Sequence, residues 1–139
     1  MHNGAGYCIQ TALAEMFTVG VKAGVEPLAL WEAVRDGAGG RRRTFDGLVD
    51  QFLPGKYDPA SFALRLAHKD MTLATQLGRD FNVPMRIANL ALAELSEALN
   101  RGWGDRDSRS PMIIQQERAG VEIRVDPQRI EEAIKRGDE

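Results

Sequence analysis

A lysine–aspartate pair, Lys69-Asp70, is the feature of this chain best suited to do chemistry. It interrupts an apolar pattern in which Leu66, Leu73 and Leu77, with Met71 one position late, recur near the spacing of a buried helix face. A lysine placed there is a flexible cationic arm that can meet a phosphate, a ribose or a carboxylate. The competing reading is a solvated stripe, with both charges on the far side of an amphipathic helix. His68, next to the pair, points to another face and reads as surface.

Other constellations carry less. The two histidines, His2 and His68, have no cysteine or carboxylate cluster at ligand spacing, so no metal site is expected. Gly4-Ala5-Gly6 resembles the start of a dinucleotide loop, but position 9 is Ile and no strand precedes it. No nucleophile-elbow sequence is present. Trp103, between Gly102 and Gly104, reads as a packing anchor for its loop or as an aromatic anchor at an interface.

These residues need elements to position them, and the chain reads as helices joined by short loops. A long helix is expected from about Gly4 to Ala23, with an apolar stripe through Cys8, Ala12, Phe17 and Val21, capped by Gly24. Pro27 opens a second helix to about Asp36. A third is expected over about 44–53, ending at Pro54-Gly55. The Lys69 helix runs from about Leu64 to Phe81. Pro84 opens another through Asn100, with Ile87, Leu90, Ala91, Leu92, Leu95, Ala98 and Leu99 as its buried face. Further helices are expected from Pro111 to Arg118 and, after an Asp126 cap, from Gln128 to about Lys135. Val121, Ile123 and Val125 alternate with Glu122 and Arg124 in an extended piece with no evident partner strand. The division is therefore 1–120 for the helical domain and 121–139 for a C-terminal extension.

Composition excludes several classes. At 139 residues, 43% hydrophobic and 27% charged, the chain fits one globular domain and is too apolar for disorder. A net charge of −2 with interspersed signs argues against nucleic-acid binding. No apolar run approaches a membrane span, and no secretory signal is visible. One cysteine, Cys8, makes no internal disulfide and reads as a small core residue in a reducing, cytoplasmic setting.

Several segments together resemble one family. Phe62, Leu66 and His68-Lys69-Asp70, followed by a helical continuation to Val83-Pro84, resemble the F-x-L-x-L-x-x-K-D segment of β-hydroxyacid dehydrogenases, which include 3-hydroxyisobutyrate dehydrogenase and tartronate semialdehyde reductase. Met1-His2-Asn3 is similar to the end of that family's K-x-x-N-N motif, with His2 in place of its first asparagine. Lys22-Ala-Gly-Val-Glu-Pro27 and Gly102-Trp-Gly-Asp-Arg-Asp107-Ser108 resemble further family segments, in the same order. The resemblance covers about residues 1–120.

It implies an all-α, multi-helix bundle like the C-terminal domain of 6-phosphogluconate dehydrogenase-like proteins. Asn3 would be the catalytic-motif asparagine that holds lysine and substrate in register, and Lys69 the residue reaching the dinucleotide, NAD or NADP. Asp70 would orient the helix or pair with a base. Arg41-Arg42-Arg43 is either a solvated loop or a contact for an acidic substrate or NADP phosphate. The partners implied are a Rossmann domain, a small hydroxyacid and a second copy of the chain, most simply as a homodimer formed through the long first helix. The family's catalytic lysine would fall before Met1 and the G-x-G-x-x-G domain outside these residues, so this chain alone is expected to be inactive and to bind NAD weakly. The alternative is a helical oligomerisation module without catalysis.

Overall fold

The structure is a computed structural model that describes residues 2–36, 47–80 and 82–137. Its helices are α1 (His2–Lys22), α2 (Pro27–Asp36), α3 (Leu64–Asp80), α4 (Arg86–Asn100), α5 (Pro111–Ala119) and α6 (Pro127–Gly137), with one 3-10 turn at Gly47–Val49. The expected all-α bundle is thus the observed one. Arg41-Arg42-Arg43 lies outside the described residues.

α1 is the spine, about 30 Å long at 1.5 Å per residue. It serves two apolar clusters. Its first half places Tyr7 with Leu64, Ala67, Met71, Ala91, Leu95 and Ile114. Its second half places Ala14 and Phe17 with Leu28, Trp31, Phe52 and Met112, where Phe17 and Phe52 meet edge to face at 5.6 Å. Gly24 ends the helix at φ 96°, a conformation that costs glycine little, and the Val25 amide returns to the Gly20 carbonyl at 3.1 Å.

α3 and α4 form an antiparallel hairpin against α1. α3 closes with Asn82 at φ 55°, and the Val83 amide donates to the Gly78 carbonyl at 2.8 Å. Gly78 is where the returning chain crosses the helix: a Cβ there would lie 3.2 Å from the Val83 carbonyl and collide with Met85. Because the chain is still turning at Met85, α4 begins at Arg86, two residues later than Pro84 suggests.

Three local expectations are corrected. The described part of the helix expected over 44–53 is a single 3-10 turn followed by turns to Gly55, which tuck Leu48, Phe52 and Leu53 fully inside. The extended stretch at 121–125 finds no partner strand among the described residues, as expected, but it is anchored within the chain rather than left open. The Val125 amide donates to the Leu53 carbonyl at 2.7 Å and the Ile123 amide to Gln116 Oε1 at 2.7 Å, with Ile123 and Val125 both buried. Finally, two buried faces differ from the expected ones. Ile87 and Leu90 of α4 are 61% and 63% exposed, the inner row being Ala88, Ala91, Leu95 and Ala98. Leu73 and Leu77 of α3 are likewise exposed, the inner row being Leu64, Ala67, Met71, Thr75 and Gly78, because that row faces the neighbouring helices.

Candidate functional site

α1 and α3 run antiparallel, so the first turn of α1 lies beside the middle of α3. A Cβ on Gly4 would touch Met71 Sδ at 3.5 Å. This pairing joins two residues singled out from the sequence. Asn3 Nδ2 donates to Asp70 Oδ2 at 3.4 Å, and Lys69 Nζ pairs with Asp70 Oδ1 at 3.3 Å. Asp70 is thus the common partner, its side chain 26% exposed against 61% for Lys69. Its shared carboxylate holds an amide and an ammonium side by side while the ammonium stays open to solvent.

Tyr7 stands one turn after Asn3 on α1 and is 7% exposed. Burial, then the carboxylates of Asp70 and Asp107, push its phenol up to about 12, with Arg109 opposing. The hydroxyl therefore remains a protonated donor throughout the neutral range. Sequence reading passed over Tyr7, although its four-residue spacing from Asn3 was the available signal.

The position of α3 is set from below by the loop Gly102–Ser110. Asp107 is fully buried, and its carboxylate accepts from the amides of Ser61 at 3.0 Å, Phe62 at 3.3 Å and Arg109 at 3.0 Å. Arg109 Nη1 lies 3.5 Å from the same carboxylate and donates to Gln51 Oε1 at 2.7 Å, while Gln51 Nε2 donates to Ser61 Oγ at 2.7 Å. The Leu64 and Arg65 amides donate to the Arg106 and Gly104 carbonyls at 2.8 and 2.9 Å. The unpaired amides at the start of α3 are thus satisfied by this loop. Trp103 is half-buried beneath it, with the Arg101 and Arg106 guanidinium groups 5.2 and 5.0 Å from its ring.

His68 is not a free surface residue. Its Nε2 lies 2.9 Å from Ser96 Oγ, and Ser96 spends its own proton on the Leu92 carbonyl at 2.7 Å. The imidazole is therefore the donor and straps α3 to α4. Cys8 is half-buried, and burial pushes its thiol up, as for an inert thiol. Among the described residues, no group of three or more His, Cys, Asp or Glu side chains converges as a metal site would require. No helix among them is long and apolar enough to cross a membrane.

A separate cleft between α1, α4 and α5 is lined by Tyr7, Thr11, Glu94, Ser108, Met112 and Arg118, and excludes Asn3, Lys69 and Asp70. Its arginine is spent: Arg118 is held by both Glu94 oxygens at 2.9 and 2.8 Å and by Glu97 at 2.5 Å. That leaves the Asn3–Asp70–Lys69 cluster as the better candidate.

Residues 7–114 match the family model described as NAD-binding of NADP-dependent 3-hydroxyisobutyrate dehydrogenase, and the chain belongs to this family. The family is NAD(P)-dependent. The chain is 27% identical over 116 residues to 2-(hydroxymethyl)glutarate dehydrogenase of Eubacterium barkeri, covering 84% of this chain and 38% of that protein. It is 29% identical over 94 residues to L-threonate dehydrogenase of Haemophilus influenzae, covering 68% and 31%. The crystal structure of 3-hydroxyisobutyrate dehydrogenase from Salmonella typhimurium shares the fold at a TM-score of 0.73 and 23% identity, over 81% of this chain and 39% of that one. The chain thus spans less than two fifths of the curated relatives it matches.

Proposed function

We propose that this domain forms the helical wall of a cleft in an NAD(P)-dependent dehydrogenase acting on a small β-hydroxyacid. The observation that carries this reading is the convergence of Asn3 and Lys69 on Asp70. Lys69 fits a dinucleotide because its ammonium is exposed and its ion pair is with a neighbouring, partly exposed carboxylate. An exposed pair of this kind contributes little, so a phosphate or ribose oxygen competes for the lysine at small cost. The cofactor, when bound, supplies the acceptor for hydride.

Asn3 has a second N–H and an acceptor oxygen left for substrate or for a catalytic lysine on an adjoining segment, which is a positioning role. Asp70 positions both. Within these 139 residues no G-x-G-x-x-G follows a strand, so tight dinucleotide binding and turnover require further protein. The purified chain should fold as a helical domain yet oxidise no hydroxyacid with NAD or NADP. Turnover of 3-hydroxyisobutyrate, glycerate or threonate by the chain alone would overturn this reading.

A second reading, a helical self-association module, is favoured by one observation: Leu73, Ile87 and Leu90 are each more than 60% exposed. Both roles can reside in one domain, and a homodimer is the simplest closed arrangement.

A further inference from the structure

The apolar stripe of α1, expected to pair two copies, is spent inside the bundle, where Tyr7, Ala14 and Phe17 are buried. One side of the helix nevertheless borders open space. Tyr7, Gln10, Thr11 and Ala14 follow the i, i+3, i+4, i+7 spacing of a single helix face, and all four line the cleft that α4 and α5 complete. Its apolar floor is Ala14 with Leu95 and Met112, all three buried.

Two hydroxyls in this cleft are built in and unused. Tyr7 is 7% exposed and Ser108 4%, and both line the cleft. Neither hydroxyl has a hydrogen-bond partner among the described residues, and neither is sealed in as the Tyr57 and Ser110 hydroxyls are. Each is fixed from behind. The Ser108 amide donates to the Phe62 carbonyl at 2.8 Å, and Tyr7 packs with Leu64 and Met71. Thr11 donates its proton to the Tyr7 carbonyl at 2.9 Å, so its oxygen is left as an acceptor. A hydroxyl taken out of bulk water without a partner costs stability, and an acceptor oxygen brought to it removes that cost.

Charge in the cleft is already cancelled. Arg118 is held by Glu94 and Glu97. Burial, with the Asp70 and Asp107 carboxylates behind it, keeps the Tyr7 phenol a protonated donor. An anion finds no free cation here, whereas an uncharged oxygen finds two donors. The cleft offers about 60 Å³ to the centres of water-sized groups, room for roughly five of them at ~12 Å³ each.

We propose that this cleft binds a small uncharged carbonyl compound, its oxygen accepting from the Tyr7 and Ser108 hydroxyls and its short aliphatic part lying on Ala14, Leu95 and Met112. The site is distinct from the Asn3–Asp70–Lys69 rim and takes neither a nucleotide nor a hydroxyacid, both of which are anions.

Titration of the ¹⁵N-labelled 139-residue chain with isobutyramide, followed by amide correlation spectra, tests this. Isobutyramide is of the right size and uncharged, and isobutyrate has its shape with a negative charge. Saturable shifts should appear at the Thr11, Ser108 and Gln115 amides with a millimolar Kd, as suits so small a ligand. Isobutyrate at pH 7 should bind about tenfold or more weakly. Tyr7→Phe and Ser108→Ala should each weaken isobutyramide by about fivefold or more, the loss of one hydrogen bond. Ile9→Ala, on the far side of α1, should leave it unchanged. Should Tyr7→Phe disturb the fold, Gln115→Glu reads the same site from a half-buried position, because its carboxylate should repel the ligand oxygen and weaken binding to a similar degree. Shifts that rise without saturating, shifts confined to Asn3 and Lys69, equal binding of the amide and the acid, or full binding by Ser108→Ala would each overturn the assignment.

Discussion

Asn3 and Asp70, sixty-seven positions apart, are joined by a 3.4 Å hydrogen bond, and the same carboxylate holds Lys69 at 3.3 Å. The bond ties the first turn of α1 to the middle of α3, so movement of either helix would shift both the amide and the ammonium. If Lys69 meets a dinucleotide as proposed above, the shared carboxylate sets the amide and the ammonium in one place.

In a full-length dehydrogenase carrying this domain, Lys69→Ala should lower kcat/KM by about tenfold or more, ~1.4 kcal/mol of transition-state stabilisation. The melting temperature should barely change, because the lysine is mostly exposed and its ion pair is solvated. Steady-state kinetics beside a thermal melt checks both. Unchanged kinetics with a lower melting temperature would assign Lys69 a purely structural part.

Asp107 should behave in the opposite way. Its buried carboxylate satisfies three backbone amides, and Asp107→Ala would orphan them and take the counter-charge from beside Arg109, which keeps its bond to Gln51. Loss of about 3 kcal/mol or more of stability is expected from unsatisfied buried donors. Urea denaturation of the isolated domain measures it. A shift of less than 1 kcal/mol would mean that water replaces the carboxylate.

Tyr7 predicts a pH dependence. Its phenol is raised from 10.0 to about 12 in the folded domain, so between those values the native state keeps a proton that the unfolded chain has released. This contribution to stability is complete below pH 10 and is lost as pH rises through about 12. Tyr7→Phe removes the titrating group, and the variant should show a shallower fall in stability over pH 10–12 than wild type. Ultraviolet titration should find one fewer late-ionising phenol in the variant. Equal slopes would mean that Tyr7 is not the group responsible. Tyr57, which burial pushes up further still, remains in both proteins as an internal reference.

Much of this domain was legible in the sequence because its signals are local. Helix existence follows from periodicity over ten or more residues, and the ends from residues that act within one turn: Gly24 and Gly120 at C-termini, Pro111 and Pro127 at first turns. Asp126 caps α6 as its type suggests, accepting from the Gln128 amide at 2.8 Å. Lys69 and Asn3 were singled out because the segments around them resemble a family pattern in a fixed order.

The tertiary structure decided what no local rule reaches. A helix wheel shows which residues are apolar, but not which row meets a neighbour, so Ile87 and Leu90 read as core until α3 and α1 took up the alanine row instead. The stretch at 121–125 looked unpartnered because its acceptors, the Leu53 carbonyl and Gln116 Oε1, sit on other elements. Asp107 was visible only as part of the family-like segment Gly102–Ser108; folding brought the amides of Ser61 and Phe62 to its carboxylate. Residue type and spacing determined the helices and their caps; packing across 40 to 70 positions determined which face is buried, which charge is held and where Asn3 finds Asp70.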